Sequence, residues 1–250
     1  MELTNATVLV TGSNRGIGLS LVHAFLDAGA ARVYATSRSG AVSVDDERVV
    51  PLTLDVTDPD SIDAAARVAD DVDVVVNNAG ITAMQSLLTG DVDAMRREMD
   101  TNFWAPLSVT RAFAPTLARR GGGVVVTVAS ALSMITVAQA GSYSASKAAV
   151  WSASDGLRLE LAEQGTRVMT VFLAATDTDM MAGADMPKND PADVAAAIVR
   201  GVRDGTHEVL VDDDSRAAKA SLSASVGERY PELGQTAAGS DLRREDVGVV

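Results

Sequence analysis

Short runs of apolar, mostly β-branched residues alternate along the chain with segments whose apolar positions repeat at helical spacing. Seven of these runs are predicted to be strands, at residues 7–10, 32–36, 49–54, 72–77, 124–129, 167–172 and 208–211. Their nearly continuous hydrophobicity indicates burial on both faces, as in a parallel sheet between two layers of helices. The pattern therefore predicts an α/β domain with a doubly wound, seven-stranded parallel sheet of the Rossmann type.

Turn-forming residues mark where the predicted helices begin and end. Asp58-Pro59 and Asp190-Pro191 each place a capping carboxylate before a proline at the first helical position. Gly29 closes the first helix, and one long helix, or two in line, is predicted between residues 91 and 119. No repeat or second domain is visible, so residues 1–250 are expected to form a single domain. Its polar tail, residues 227–250, is expected to wrap the surface or fray.

Composition and charge narrow the possible partners. The 250 residues are 47% hydrophobic and 22% charged, which is a globular balance. The chain has no cysteine and two histidines, so we expect no disulfide, no thiol chemistry and no metal site, and the composition suits a reducing cytoplasm. A net charge of −13 argues against nucleic acid and anionic membranes, and no apolar run has transmembrane length. A cytoplasmic protein with a small-molecule partner is expected.

A glycine-rich turn follows the first predicted strand and opens a helix. Glycines let the backbone approach a pyrophosphate, whose charge is favoured at the helix N-terminus. On spacing alone, an ordinary strand-to-helix turn explains the glycines equally well, but the context favours dinucleotide binding. The residues of this turn predicted to bind the cofactor are Gly12, Asn14, Arg15, Gly16, Ile17 and Gly18.

The end of the second strand indicates which dinucleotide would bind. It reads Ser37-Arg38 and lacks the carboxylate that would hold the ribose 2′-hydroxyl of NAD. Arg15 and Arg38 can converge on one place, where their guanidinium groups would suit a 2′-phosphate. The sequence therefore favours NADP, although with 18 arginines in the chain these two can also be surface residues in salt bridges.

Two further segments fit a cofactor site. Asp55-Val56 ends the third strand, where a carboxylate can meet an adenine amino group. Asn78-Ala79-Gly80 follows the fourth strand, at the carboxyl edge where open α/β sheets bind ligands. The alternative for the second segment is a turn that only caps its strand.

Three side chains carry candidate chemistry. Tyr143 and Lys147 lie four residues apart and share one helix face, so the ammonium group is expected to lower the tyrosine pKa. Ser130 ends the fifth strand and can hydrogen-bond a substrate oxygen on which charge develops. The pair alone also fits a surface helix contact; the serine and the glycine turn favour catalysis.

In these motifs the chain resembles the short-chain dehydrogenase/reductase family over residues 7–212. The glycine turn, the Asn-Asn-Ala-Gly segment and the catalytic Ser130, Tyr143 and Lys147 match. Asn102 is similar to the family's fourth active-site residue, which holds a water for proton relay. Thr178 matches a threonine that contacts the nicotinamide, but Leu173-Ala174 stands where the family usually has Pro-Gly.

The resemblance implies reversible, NADPH-dependent conversion of a ketone or aldehyde into an alcohol. It also implies a homodimer or homotetramer in which the helices at 91–119 and 151–164 pair. Aromatic anchors for that interface are expected at Phe103, Trp104 and Phe113. Two alternatives remain open, a non-reductive dehydratase or epimerase on the same scaffold and a dinucleotide-sensing regulatory protein.

The substrate pocket is expected from residues 81–88, 131–137 and the segment after Thr178. Its predicted side chains are mainly apolar, which indicates a small to medium apolar substrate: Leu132, Met134, Ile135, Val137, Met180, Met181 and Met186. Several of them can instead be core or dimer contacts. Residues 177–189 are expected to form a lid that closes over the cofactor and the substrate.

Overall fold

Seven strands form one parallel sheet in the computed structural model, which describes residues 1–233 of the chain. The strands are β1 Thr7–Val10, β2 Arg32–Ser37, β3 Val49–Thr53, β4 Val74–Asn77, β5 Gly123–Val128, β6 Thr166–Phe172 and β7 Glu208–Leu210. They lie in the order β3-β2-β1-β4-β5-β6-β7. The predicted fold class is confirmed, and every predicted strand lies within two residues of an observed one.

Helices cover both faces of this sheet. They are α1 Gly16–Asp27, α2 Pro59–Val68, α3 Val92–Met99, α4 Ala105–Arg119, α5 Gly141–Glu160, α6 Pro191–Asp204, α7 Asp213–Ala220 and α8 Val226–Arg229. The side chains of Asp58 and Asp190 accept hydrogen bonds from backbone N–H groups two residues on, as their N-cap positions predict. No helix within residues 1–233 is long and apolar enough to cross a membrane.

Helix α5 ends earlier than predicted. It stops at Glu160 rather than at residue 164, because the backbone turns back toward the sheet. Gly165 adopts a φ of 73°, a left-handed conformation that favours glycine, and the N–H of Thr166 donates to the carbonyl of Leu161. Strand β6 begins at once after this turn.

Each face of the sheet has its own core. Phe25 of α1 and Ile198 of α6 pack on one face, and Ile62 of α2 and Leu117 of α4 pack on the other. Phe113 of α4 belongs to this second core and is fully buried, so its expected role as an interface anchor is wrong.

The order of the strands creates a crevice at the carboxyl edge of the sheet. The chain winds outward from β1 to β3 in one direction and from β4 to β7 in the other, so neighbouring loops diverge between β1 and β4. The segments after β1, β2, β4, β5 and β6 all open at this edge. These are the segments that carry the residues expected to bind a ligand.

The C-terminal segment reaches back to this edge. Helix α8 follows α7 and a short turn, and the hydroxyl of Tyr230 accepts a hydrogen bond from the N–H of Thr136 at 3.2 Å. Arg229 and Tyr230 of the predicted tail therefore contact the segment after β5. The remainder of that tail, residues 234–250, lies outside the described residues.

Candidate active site

The turn between β1 and α1 requires its glycines. Gly12 and Gly16 have φ values of 65° and 54°, in the left-handed region. A Cβ on Gly18 would lie 2.1 Å from the carbonyl oxygen of Gly12, which leaves no space for any side chain. The Nδ2 atom of Asn78 donates to the carbonyls of Thr11 at 2.9 Å and Gly12 at 3.1 Å. Asn78 thus braces the turn from the neighbouring strand.

A single cavity of about 1060 Å³ runs along the carboxyl edge of the sheet from this turn. Every residue predicted to bind the cofactor lines it: Gly12, Asn14, Arg15, Gly16, Ile17, Gly18, Ser37, Arg38, Asp55, Val56, Asn78, Ala79, Gly80, Tyr143, Lys147 and Thr178. Ser130 lines the same cavity. The structure therefore brings together the residues that the motifs had singled out along 167 positions of the sequence, from Gly12 to Thr178.

The two arginines expected at a 2′-phosphate both line this cavity, and each lies near a carboxylate. The Nη1 atom of Arg15 contacts the Oδ2 atom of Asp179 at 2.8 Å, and both side chains are largely exposed. Arg38 lies near Asp55, whose pKa is lowered mainly by hydrogen bonds from Thr57 and in smaller part by the charge of Arg38. Arg38 is therefore placed at the end of β2, whereas Arg15 bridges to the segment after Thr178.

Ser130 is fixed by a short 3₁₀ turn, Ala131–Ser133, that begins directly after it. Its Oγ atom accepts the N–H of Leu132 at 3.1 Å, and its own N–H donates to the Oγ atom of Ser133 at 3.2 Å. These two bonds form a capping box, which pins the serine side chain at the cavity wall. Its Oγ atom lies a long 3.4 Å from the carbonyl oxygen of Leu173, so the hydroxyl is free to donate to a substrate oxygen instead.

Tyr143 and Lys147 lie in the first two turns of α5. The Nζ atom of Lys147 donates to the carbonyl of Val128 at 2.9 Å and lies 5.8 Å from the centroid of the Tyr143 ring. Burial lowers the pKa of Lys147 to about 8, and the charge of Glu98 opposes that shift.

The pKa of Tyr143 differs from the value expected from the sequence. Burial raises the pKa of Tyr143 to about 12, and a hydrogen bond with Ser130 only partly opposes that rise. The expected lowering by Lys147 is wrong for the protein alone, because loss of solvation outweighs any attraction to the ammonium group. The side chain is held as a protonated phenol.

Asn102 occupies a π-helical turn, Asp100–Trp104, that joins α3 to α4. Its Nδ2 atom donates to the carbonyl of Ile81 at 2.9 Å and to the Oγ atom of Ser146 at 3.0 Å. Its Oδ1 atom accepts the N–H of Ile81 at 3.0 Å. Both amide protons are used, so the side chain clamps the loop after β4 to α5. Asn102 does not line the cavity.

The substrate end of the cavity is largely apolar. The expected side chains that line it are Leu132, Ile135, Val137, Met180, Met181 and Met186, together with Ile81 and Met84. Met134 was expected there, but it is 97% covered in a core cluster with Val150 and Phe172. Glu228 and Arg229 of α8 also line this end. These two residues could not be predicted from sequence, because the polar tail resembled a solvated surface.

The segment after β6 is anchored despite its Leu173-Ala174 sequence. The Leu173 carbonyl accepts the N–H of Ala131 at 2.9 Å, and the Ala174 N–H donates to the Oδ2 atom of Asp212 at 2.7 Å. The same carboxylate oxygen accepts from Asn189 at 2.6 Å, at the far end of the expected lid. Asp212 was missed from sequence, although its position as the N-cap of α7 was a usable signal.

Comparison with protein-family models matches residues 6–189 to the short chain dehydrogenase model. A relative, the 1-deoxy-11-beta-hydroxypentalenate dehydrogenase of Streptomyces exfoliatus, is 32% identical over 211 residues, covering 79% of this chain and 77% of the relative. Ketoacyl reductase HetN of Nostoc sp. is 29% identical over 249 residues, covering 92% of this chain and 86% of the relative.

Solved structures agree with this match. A short chain dehydrogenase from Burkholderia cenocepacia in complex with NADP has a TM-score of 0.89 and 33% identity, covering 93% of this chain and 99% of that one. A 3-ketoacyl-(acyl-carrier-protein) reductase from Brucella melitensis complexed with NADH has a TM-score of 0.75 and 25% identity, covering 80% and 91%. With the fold, the motifs and the family model in agreement, the chain belongs to the short chain dehydrogenase family.

Proposed function

We propose that this protein is an NADPH-dependent oxidoreductase that interconverts a ketone or aldehyde with the corresponding alcohol. The observation that carries the proposal is the meeting of Ser130, Tyr143 and Lys147 in one cavity with the glycine turn and Arg38. A hydrogen-bond donor, a proton donor and a cation are thereby grouped next to a cradle of the kind that binds dinucleotides.

The cradle fits a dinucleotide. A Cβ on Gly12 would lie 3.1 Å from the Cα atom of Ala79, and one on Gly16 would lie 3.0 Å from Cγ2 of Thr178, so side chains there would crowd the cavity wall. Exposed backbone next to the start of α1 suits a pyrophosphate. When bound, a reduced nicotinamide would supply the hydride that the carbonyl carbon accepts.

The end of β2 supports NADPH over NADH. Ser37 and Arg38 line the cavity there, and neither carries a negative charge that would repel a 2′-phosphate. The Burkholderia cenocepacia structure was solved with NADP and the Brucella melitensis structure with NADH, so the fold accepts either cofactor and individual residues decide. Arg38 is the residue we assign to this choice.

Ser130, Tyr143 and Lys147 each have a different role at the substrate oxygen. Ser130 donates a hydrogen bond to the carbonyl oxygen, and Tyr143 gives its phenolic proton to that oxygen as the alcohol forms. A pKa of about 12 keeps the phenol protonated at neutral pH, as reduction requires. Lys147, whose pKa is about 8, remains mostly charged at pH 7 and stabilises the phenolate that forms.

The substrate is proposed to be small to medium and mainly apolar. Leu132, Ile135 and the methionines of the segment after Thr178 line the end of the cavity beyond Ser130. Methionine side chains adapt to irregular apolar shapes, so this end suits a hydrocarbon skeleton better than a sugar. Retention of all three catalytic side chains favours turnover over cofactor sensing without turnover, and the alternative of a non-reductive reaction on the same scaffold is separated by the test below.

The test is a panel of ketones and aldehydes, from polar aldoses to bulky apolar ketones, mixed with NADPH or NADH. Consumption of reduced cofactor is followed by absorbance and alcohol formation by chromatography. Apolar ketones are expected to react, with NADPH preferred. If the protein binds NADPH tightly but oxidises it with none of the compounds in the panel, the proposed function is contradicted.

A further inference from the structure

Two parallel hydrogen-bonded rungs join the α3 side of the π turn to helix α5. Glu98 and Asn102 lie four residues apart on one side, and Ser142 and Ser146 lie four residues apart on the other. The hydroxyl of Ser142 donates to the Oε2 atom of Glu98, and Asn102 donates to the Oγ atom of Ser146. Ser142 directly precedes Tyr143, and Ser146 directly precedes Lys147.

Both rungs also hold the loop after β4, which forms one wall of the substrate end. Asn102 binds both backbone groups of Ile81, and the Oε1 atom of Glu98 accepts the N–H of Ala83 at 2.6 Å. Ser142 then pairs with Gln85, accepting its N–H at 3.1 Å and donating a backbone N–H to its carbonyl at 3.3 Å. The Glu98 rung therefore matches the Asn102 rung in form.

A residue that only accepts hydrogen bonds from a loop does not need a charge, yet Glu98 carries a carboxylate. Its side chain is fully buried, and a buried carboxylate is costly unless it is hydrogen-bonded or near a cation. Tyr143 and Lys147 are the titratable groups that face it from α5, and the loop at 81–89 carries no charged residue. Arg97 is next to Glu98 in α3, but its Nη2 atom lies 3.8 Å from the Oδ2 atom of Asp91, so it is paired with that carboxylate.

We propose that Glu98 is a positioning residue for the reaction: it holds Ser142, and with it Tyr143 and the loop wall, in the way that Asn102 holds Ser146 and Lys147. This inference rests on the proposed function, since it assigns Tyr143 as the proton donor. Loss of the rung would leave the tyrosine and the substrate wall free to shift relative to each other.

The buried charge has a second effect on the same pair. The negative charge of Glu98 raises the pKa of Tyr143 and of Lys147, and for the lysine it opposes the lowering by burial. A neutral residue at this position should therefore lower both pKa values. This effect separates the charge of Glu98 from its role as a hydrogen-bond acceptor.

The kinetic test compares Glu98→Gln with Ser142→Ala, using Glu163→Gln, an exposed glutamate beyond α5, as the control. Both rung variants should lose about 10- to 100-fold in kcat, because small displacements of reacting groups are costly, while NADPH binding stays unchanged. In Glu98→Gln the basic limb of the kcat/KM profile for reduction should move to lower pH. In Ser142→Ala it should stay, since the charge remains. Wild-type kcat in both variants, or an unmoved limb in Glu98→Gln, would overturn the proposal.

A second readout does not depend on turnover. Hydrogen exchange should become faster in peptides covering residues 81–90 and the start of α5 in both variants, with exchange in the strands unchanged. If exchange changes as expected but the wild-type protein reduces no ketone, the proposed function fails, while the contact is still shown to hold the loop and the start of α5. Unchanged exchange in both variants would show that the rung positions nothing.

Discussion

Tyr143 and Lys147 lie one helical turn apart, and this spacing indicates that the charge of the lysine sets the pKa of the tyrosine. In the structure, burial has the larger effect on both pKa values, raising the pKa of the phenol to about 12 and lowering that of the ammonium to about 8. The i, i+4 spacing is visible in the sequence, but solvent exclusion depends on the loops that close around the pair. Residue identity was therefore predictable and residue ionisation was not.

A pH profile follows from these two values. In the direction of reduction, both the tyrosine and the lysine must be protonated, and the lysine has the lower pKa. The rate should be flat near pH 7 and should fall as the pH rises through about 8, because Lys147 loses the charge that stabilises the phenolate. The measurement is kcat/KM for ketone reduction at saturating NADPH between pH 6 and about 10, with stability checked at each pH.

An increase in the reduction rate above pH 8 would contradict this assignment. The matched control is Lys147→Arg, whose guanidinium remains charged throughout the range. Its rate should be lower overall, since the fork does not fit the ammonium site, but the fall near pH 8 should be absent.

We propose that cofactor choice depends mainly on Arg38, since Arg15 is already paired with Asp179. Arg38→Asp should lower kcat/KM for NADPH by at least about tenfold, because a charge-assisted phosphate contact is replaced by repulsion, and should improve use of NADH. Arg200→Asp, on the exposed side of α6, should change neither. Initial rates with both cofactors measure the ratio. Equal efficiency of the two cofactors in the wild-type protein would refute the assignment.

At the scale of helices and strands, the features that could be predicted are those set by residues close together in the sequence. Asp58 and Asp190 precede prolines, and both cap helices as expected. The π turn at Asn102 was not predictable, because it depends on the amide of Asn102 reaching Ile81 on another segment. The Glu98 rung and the packing of α8 on the segment after β5 were missed for the same reason. Such contacts join residues that are distant in sequence.

The expected lid is tied down at its two ends and bridged to the glycine turn. Thr176 pairs with Asn189, Asp212 holds Ala174 and Asn189, and Asp179 contacts Arg15. The Asp179 contact is exposed, so it is expected to add little stability and to exchange readily for other partners. The lid can then close from a fixed base while its middle adjusts.

Hydrogen exchange tests this closing motion. Adding NADP should slow exchange in peptides covering residues 177–189, since Thr178 lines the cavity and would help to hold the cofactor. In Asp179→Asn exchange of the segment should stay close to that of the wild type without and with cofactor, because the exposed Asp179 contact adds little stability. Asp185→Asn, a lid carboxylate with no assigned partner in the described structure, serves as control. Identical exchange with and without saturating NADP would exclude a lid.

At the scale of the whole molecule, the sheet explains why distant motifs form one site. Parallel strands bring the segments after β1, β2, β4, β5 and β6 to one edge, so residues far apart in sequence line one cavity. This arrangement follows from the alternation of strands and helices, which is why the position of the cavity was predictable once the fold was. It was harder to predict which apolar residues face the cavity, because Met134 was expected there and lies in the core.

Assembly is proposed to use the outer faces of the π turn at Asp100–Trp104, which leads into α4, and of α5. Phe113 is buried within the subunit, but Trp104 is 53% exposed and Leu159 of α5 is 79% exposed. Such exposed apolar side chains on neighbouring helices favour a symmetric interface. Light scattering should give a dimer or tetramer at micromolar concentration, and Trp104→Glu should shift the mass toward the monomer. Val68→Glu, an exposed apolar position on α2, should not. A wild-type monomer would refute the assembly.

The most direct test of the central claim replaces one oxygen atom. Tyr143→Phe removes the proton donor and leaves the ring, the burial and the cofactor cradle in place. With a ketone that the wild-type protein reduces, single-turnover consumption of NADPH should slow by about 100- to 10,000-fold, while the Kd for NADPH stays the same. A Tyr143→Phe variant that binds NADPH normally and reduces the ketone at close to the wild-type rate would contradict the account.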